Sequence, residues 1–371
     1  MTRAAIISTS IYGMPNIAAW TEVMGPNDVM IIAGDKKSPH AATRNVVERE
    51  RKRTGRNIRY VHPDDHDRWE SSVILPWNCI QRRNIAILEA LTYEPEFILT
   101  IDDDNYPVND DDLAQDSDWL NRVHEILTTP VREFTWTESS WYNAGHQCQP
   151  QVTHRGFPPS QRHAEHVVHT AVDTAEAHHV GVFAALWLGD PDIDAVERIV
   201  AAPEVTSVRW PNETIAAGTW GPFNSQATAY LTALAPAMMC LPGVGRMDDI
   251  WASYVAQTIM DHVGLRVQYG HPIVRQDRNK HDLVRDLEFE LMGYRYTDAL
   301  LAELQCVALP DTPLVDELLL HVVAKMCKLS YVPALAIQTY AAWNADLITV
   351  NNEHADARLF DTSKLRTVDD R

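Results

Sequence analysis

The sequence contains no apolar run close to the about 20 residues needed to cross a bilayer. Its first residues, MTRAAIISTSIYG, are too polar for a secretory leader. A cytoplasmic protein without membrane association is therefore expected. Positive charge is also scarce: 32 Lys and Arg stand against 51 Asp and Glu, a formal net charge of −19. Such a surface does not draw nucleic acid or anionic lipid by bulk charge. The local exception, RERKRTGR from Arg49 to Arg56, reads as the solvated end of a helix. Cysteine is sparse and dispersed, at Cys79, Cys148, Cys240, Cys306 and Cys327, with no CxxC pair. That excludes a disulfide framework or a zinc site and predicts reduced core thiols. Internal repeats and low-complexity tracts are missing as well.

What is present is a chain of 371 residues with 45% apolar content. That is enough for one large α/β domain or a domain with an appendage. AAIIST, DVMIIAGD, IRYVHP and EFILTI read as strands, and IAAWTEVM and CIQRRNIAILEALTY carry helical spacing between them. Strands alternating with helices predict a mostly parallel sheet covered on both faces. In such sheets ligands sit at the carboxyl ends of the strands. Three polar strand ends fall there: Ser8–Tyr12 (with Thr9), Gly34–Lys37 and Asp102–Asn105. Further on, VGVFAALWLGDPDID reads as strand and turn, MMCLPGVGRMDDIWASYVAQTIMDHVG as strand, glycine-rich loop and helix, and LRVQYG as strand. The expected division is a catalytic domain over 1–295, a helical extension over 296–351 suited to oligomerisation, and a polar tail over 352–371.

The first chemical signal is TIDDDNYP. An apolar strand runs into Asp102, Asp103 and Asp104, whose mutual repulsion calls for a counter-ion. Carboxylates at an Asp-x-Asp spacing suit a hard divalent cation, Mn²⁺ or Mg²⁺, with open positions for a diphosphate. Such an ion stabilises the charge that grows on a departing nucleoside diphosphate. The later run Asp110–Asp112 lacks a preceding strand and reads as a helix start, where acids suit the dipole. In RMDDIWASY, Asp248 and Asp249 open a helix, as caps or as groups that bind sugar hydroxyls or act as a base. In HRGFPPSQR, Arg155 precedes a glycine that permits close backbone approach, and its guanidinium suits a phosphate pair. Asp35 is placed to accept from a base or ribose, while Lys36, Lys37, Arg82 and Arg83 offset phosphate charge. In RQDRNKH, Asp277 or His281, or His271 just upstream, completes the metal shell.

Taken together and in order, TIDDDNYP, HRGFPPS, ALWLGDPDIDA and GRMDDIWAS resemble the reversibly glycosylated polypeptides, which include plant UDP-arabinopyranose mutases. AGDKKSP and RRNIAILEAL are similar to the related STELLO-type glycosyltransferase domains. The resemblance implies a GT-A fold, with a Rossmann-like nucleotide half fused to an acceptor half, and a UDP-sugar used with Mn²⁺ or Mg²⁺. It implies that the acidic triplet is Asp102–Asp104 and that Arg155 is the arginine of reversible self-glycosylation. Arg246, Asp248, Asp249 and Trp251 match the later Arg-x-Asp-Asp-x-Trp motif. Two departures stand out. Phe157-Pro158-Pro159-Ser160 replaces Tyr-Pro-Phe-Ser, and Val274-Arg275 replaces a Trp-His pair, which leaves His281 as the substitute metal ligand.

The function expected is glycosyl transfer from a nucleotide sugar to an acceptor or to the protein itself. Asp102 and Asp104 hold the metal; Thr9, Asp35, Lys37, Arg83, Asp102 and Asp103 bind the donor; Arg155, Asp248 and Asp249 act at the sugar. The acceptor class stays open among protein, glycan, nucleic acid and small molecule, and homo-oligomerisation is compatible. The alternatives are a pyranose–furanose mutase using the same site and a non-catalytic partner of an active paralogue.

Overall fold

The computed structural model describes residues 2–108, 119–173, 175–209, 211–354 and 358–365. The helix start expected at Asp110–Asp112 lies outside them. Strand β1 (Ala4–Ser10) is buried at every position, as a strand covered on both faces must be. It pairs in parallel with β2 (Val29–Gly34) on one side and β4 (Phe97–Ile101) on the other, and β3 (Asn57–Val61) extends β2 in parallel. Helices Ile17–Val23, His40–Thr54 and Arg83–Leu91 make the crossings. The basic run at Arg49–Arg56 is the solvated end of His40–Thr54: Arg49 and Arg53 pair with Glu50, and Lys52 with Glu48.

Beyond β4 the sheet becomes mixed, not mostly parallel. The short β5 (Asn105–Pro107) follows at once. Two small outlying pairs, β6 (Glu133–Thr137) with β8 (Val168–Val172) and β7 (Cys148–Gln149) with β10 (Ser207–Val208), frame the middle of the chain. The long β9 (Val180–Gly189) pairs in parallel with β13 (Arg266–Gln276). Between β9 and β4 lies β12 (Ala227–Leu231), antiparallel to both, while β11 (Glu213–Thr214) and β5 add antiparallel to β13. The order is β11-β13-β9-β12-β4-β1-β2-β3. Because β12 alone is reversed among the central strands, the carboxyl ends of β1, β4, β9 and β13 and the amino end of β12 share one edge. The result is the Rossmann-like α/β class expected, with a helical C-terminal region.

Two sequence expectations need correction here. The strand read at MMCLP is instead the end of a 3₁₀ turn, Thr232–Met238, and a buried extended stretch; the true strand lies upstream at β12. A short, fully buried apolar run carries no period by which to tell these apart. Among the cysteines, Cys306 and Cys327 are exposed, not core thiols, since both follow the last turns of surface helices.

The C-terminal helices Leu283–Leu304, Val315–Met326 and Ala334–Glu353 share one hydrophobic core with the sheet. Leu283–Leu304 runs straight through the boundary expected at 295. Trp251 Nε1 donates to Thr297 Oγ1 at 3.0 Å and Trp343 Nε1 to the Pro236 carbonyl at 3.0 Å. Asp346 reaches back to the N-terminal half and accepts the N–H groups of Glu70 (2.6 Å) and Ser71 (2.9 Å). Within the tail, Phe360 is buried and its carbonyl accepts from Val315 N–H at 3.0 Å. Among the described residues no helix is long and apolar enough to cross a membrane. Losing a buried helix-start acceptor typically costs roughly 1–2 kcal/mol. Asp346→Ala should lower the unfolding free energy by that order in urea titration; an unchanged midpoint would show that the tie carries no stability.

Candidate active site

A cavity of about 340 Å³ opens at the shared edge of the sheet. The ends of β1 and β4 bring Thr9, Asp102, Asp103 and Asp104 to it, and the Arg83–Leu91 helix contributes Arg83 from its first turn. From the other half come Arg155, Asp248, Asp249 and His281. Residues separated by more than 150 positions in sequence thus form one wall-to-wall site. Asp35 and Lys37 are not brought to it. The Asp35 carboxylate is buried and taken by the N–H groups of Lys36 (2.7 Å) and Cys79 (3.1 Å). Lys37 is exposed, and its N–H donates to Asn78 Oδ1 at 3.0 Å. Both therefore shape the loop behind Asn78 and Cys79, which do line the cavity. Arg82 is likewise internal, donating to the Leu75 and Pro76 carbonyls.

The acidic triplet splits into three environments. Asp102 pairs with the buried Arg83 guanidinium. Asp103 accepts from Ser10 Oγ and from Asn279 Nδ2 at 3.1 Å. Asp104 accepts from the Asn279 N–H at 2.9 Å. Burial, then the Asp102 charge, pushes the Asp104 carboxyl up to about 6. Burial also raises Asp103, against the hydrogen bond from Ser10. This corner is therefore short of positive charge even with Arg83 in place. An all-oxygen donor set with that deficit fits a hard divalent cation that shares its shell with a ligand's oxygens. A complete protein cage is not there: no group of three His, Cys, Asp or Glu side chains gathers as metal ligands among the described residues. His281 reaches the cavity but turns Nδ1 to Asp286 Oδ2 at 2.9 Å.

Arg155 lines the same cavity. Gly156 follows it with φ +80°, and any Cβ there would collide with Ile250, so only glycine allows the turn that aims Arg155 inward. The guanidinium is gripped on every side. Nε and Nη2 meet the two oxygens of Asp192 at 2.8 and 2.9 Å, Nη2 also reaches Asp249 at 3.2 and 3.3 Å, and Nη1 donates to the Arg246 carbonyl. Burial alone would discharge this pair. Instead Asp192 and Asp249 raise the Arg155 pKa well above its ordinary value, and Arg155 drives the buried Asp192 far below the usual carboxylate range. Ser225 then links the walls: its N–H (2.9 Å) and Oγ (3.0 Å) donate to Asp249, while its carbonyl accepts from Arg83 Nη1 at 2.8 Å. One polar chain runs Asp102–Arg83–Ser225–Asp249–Arg155–Asp192.

Asp248 stands beside this chain, buried, accepting from Gln81 Nε2 at 2.8 Å. Burial, then the neighbouring Asp249 charge, pushes its carboxyl up to about 7. A carboxyl poised there can take or give a proton near neutral pH. Asp192, Ser10, Ser225, Arg278 and Asn279 are site residues that sequence reasoning does not single out. For Asp192 a signal exists: the GDPDID turn closes a fully buried strand, as the acidic triplet does.

A family model described as reversibly glycosylated polypeptide matches residues 83–344. Among curated relatives, a probable UDP-arabinopyranose mutase 1 of Zea mays is 29% identical over 223 residues, 58% of this chain and 56% of the maize protein. UDP-arabinopyranose mutase 1 of Arabidopsis thaliana is 30% identical over 206 residues, 53% of this chain and 52% of its own length. A probable UDP-arabinopyranose mutase 1 of Solanum tuberosum is 27% identical over 223 residues, 58% of this chain and 56% of the potato protein. The chain thus spans about half the length of the curated relatives it matches.

The raised Asp248 carboxyl has a consequence for stability. The folded state holds this proton more tightly than the unfolded chain does. Asp248 therefore favours the fold at low pH, and its contribution is lost as pH rises from about 4 towards about 7. Asp248→Asn has no proton to lose, so its stability relative to the native protein should grow across that range. Urea midpoints of both proteins at several pH values test this; a difference independent of pH would mean that Asp248 titrates normally.

Proposed function

The chain belongs to the reversibly glycosylated polypeptide family, and from that premise we propose that it is a UDP-sugar enzyme. Its reaction would break the bond between the anomeric carbon and the diphosphate and pass the glycosyl group to an acceptor or to the protein itself. The observation that carries this reading is the convergence of an acid triplet short of positive charge and the Arg155–Asp248–Asp249 group on one cavity. Mn²⁺ or Mg²⁺ held by Asp102 and Asp104 would bind the diphosphate and stabilise the charge on departing UDP. Arg83 fixes Asp102, and Ser10 and Asn279 fix Asp103, so the donor meets a preorganised corner. Thr9 and Ser10, at the end of β1, line the cavity and would contact the nucleotide. Arg155, held between two carboxylates, presents its guanidinium to the sugar. Asp248, with a carboxyl near neutrality, exchanges the proton of an acceptor hydroxyl or of a sugar hydroxyl.

A second reading, interconversion of pyranose and furanose forms of a UDP-sugar, is favoured by the names of the curated relatives. It would use the same cavity, with the sugar returned to the same diphosphate. Incubation with a panel of UDP-sugars separates the two. Ring-isomerised UDP-sugar without any acceptor supports the mutase, whereas UDP release coupled to labelling of protein or acceptor supports transfer. Neither product from any UDP-sugar would sink both.

Activity should require Mn²⁺ or Mg²⁺ and disappear in excess EDTA; full turnover in chelator would remove the metal from Asp102 and Asp104. Arg155→Lys keeps one charge but cannot span Asp192, Asp249 and the Arg246 carbonyl together. Misplacement of a group at the reacting centre costs on the order of 100-fold, so turnover should fall by about that much. Near-native turnover in a folded Arg155→Lys protein would take Arg155 out of the chemistry.

A further inference from the structure

Among the described residues four arginines line the cavity, and their hydrogen bonds are unequally distributed. Arg83 is spent on Asp102 and Ser225, and Arg155 on Asp192 and Asp249. Arg246 donates through Nε to Glu290 at 3.0 Å and through Nη1 to Asp286 at 3.5 Å. Arg278 has none of this. Among the described residues its side chain makes no hydrogen bond, its Nε is buried without an acceptor, and its closest carboxylate, Asp286, stands 3.9 Å away. That carboxylate already accepts from Arg246 and contacts His281 at 2.9 Å. Yet the Arg278 side chain is only 9% exposed. Burial, then the charges of Arg198 and Arg246, disfavours its protonated form. Asp192 and Asp190 offset this only in part. A largely buried guanidinium that makes no hydrogen bond and is pressed by two like charges is suited to receive an anion.

The position of Arg278 identifies the anion. The next residue, Asn279, clasps the acidic triplet: its N–H donates to Asp104 and its Nδ2 to Asp103. The Asp277 N–H donates to the Asp104 carbonyl at 3.1 Å. The backbone on either side of Arg278 is thereby pinned across the corner that suits a cation. A group that meets both a cation there and Arg278 must carry several oxygens and more than one negative charge. We infer that Arg278, not Arg155, is the arginine that receives a diphosphate oxygen of the donor. The inference rests on the nucleotide-sugar reading above. Arg278 forms no covalent bond. As the anomeric C–O bond breaks, the electron pair stays on the diphosphate, and Arg278 faces the charge that results. Arg155, with all but one Nη1 N–H committed, is left to the sugar side.

The test uses the full chain in Mg²⁺ buffer. UDP binding is measured by calorimetry and uridine binding by ligand-observed NMR, for the native protein, Arg278→Gln and Arg278→Lys. Arg278→Gln should weaken UDP by about 10- to 100-fold, the usual effect of losing charge-assisted hydrogen bonds to a buried anion. It should leave uridine unchanged, and Arg278→Lys should recover part of the loss. Three results would overturn the assignment. If Arg278→Gln binds UDP as the native protein does, Arg278 is wrong and the nucleotide-sugar reading stands. If UDP and uridine weaken together, Arg278 only supports the fold. If the native protein binds no UDP, the underlying reading fails and takes this assignment with it.

Discussion

The buried ion pair between Arg155 and Asp192 is the constraint on which the site depends. Neither charge is tolerable alone at that depth, because an unpaired buried ion loses its hydration with nothing in return. Together they fix where loop 153–157 meets the turn after β9. Asp249 shares the guanidinium, so the start of the Asp248–Val263 helix is registered against the same point. Through Ser225 and Arg83 the registration extends to Asp102 at the end of β4. The two halves of the sheet are joined in the core by β12, but across the cavity they are joined by this chain of alternating charge. Its members come from separate segments of the chain, and loss of one would loosen the placement of the next.

The organisation of the first half is legible in the sequence because its strands are short apolar runs with polar ends and its helices have regular spacing. β1, β2, β3 and β4 lie where their residues predict. The acidic triplet is legible for the same reason: charge placed directly after a buried strand must be met by a counter-charge or a ligand. The second half is less so. β12 is as apolar as the stretch that follows it, and periodicity does not separate ATAYL from MMCL. Asp35 misleads because a carboxylate at a strand end looks the same whether it faces ligand or loop. Only the fold reveals that two backbone N–H groups consume it, one from the next residue, Lys36, and one from the distant Cys79. Arg155 can be placed in the site from its motif, but the motif suggests a phosphate role. Its neighbours Asp192 and Asp249 are 37 and 94 positions away, and sequence spacing says nothing of such pairing. Arg278 escapes notice for the converse reason. An arginine in a charged run, RQDRNKH, looks solvated until its burial is seen.

The packing also ties the C-terminal helices to the site. A helix that starts at Leu283 and ends at Leu304 cannot be split at 295, and its first turn lies beside the cavity while its end lies in the C-terminal bundle. Asp286 and Glu290, on that helix, hold Arg246 and approach Arg278. The C-terminal region is thereby a back wall for the site's cations as well as a cover for the core.

The reversed strand β12 bears on how the chain reaches this structure. When the ribosome has released β1 to β4, those strands can pair with one another, but the outer edge of β4 has no neighbour until residues 227–231 arrive. An apolar strand with an open edge is prone to pair with the wrong chain. More than a hundred residues, including both small outlying sheets, must be synthesised before that edge closes. The assembly is thus dominated by contacts distant in sequence, which slows folding and lengthens the interval of exposure. In a cell, the nascent first half would be a natural client for chaperones during the wait for its partner strand.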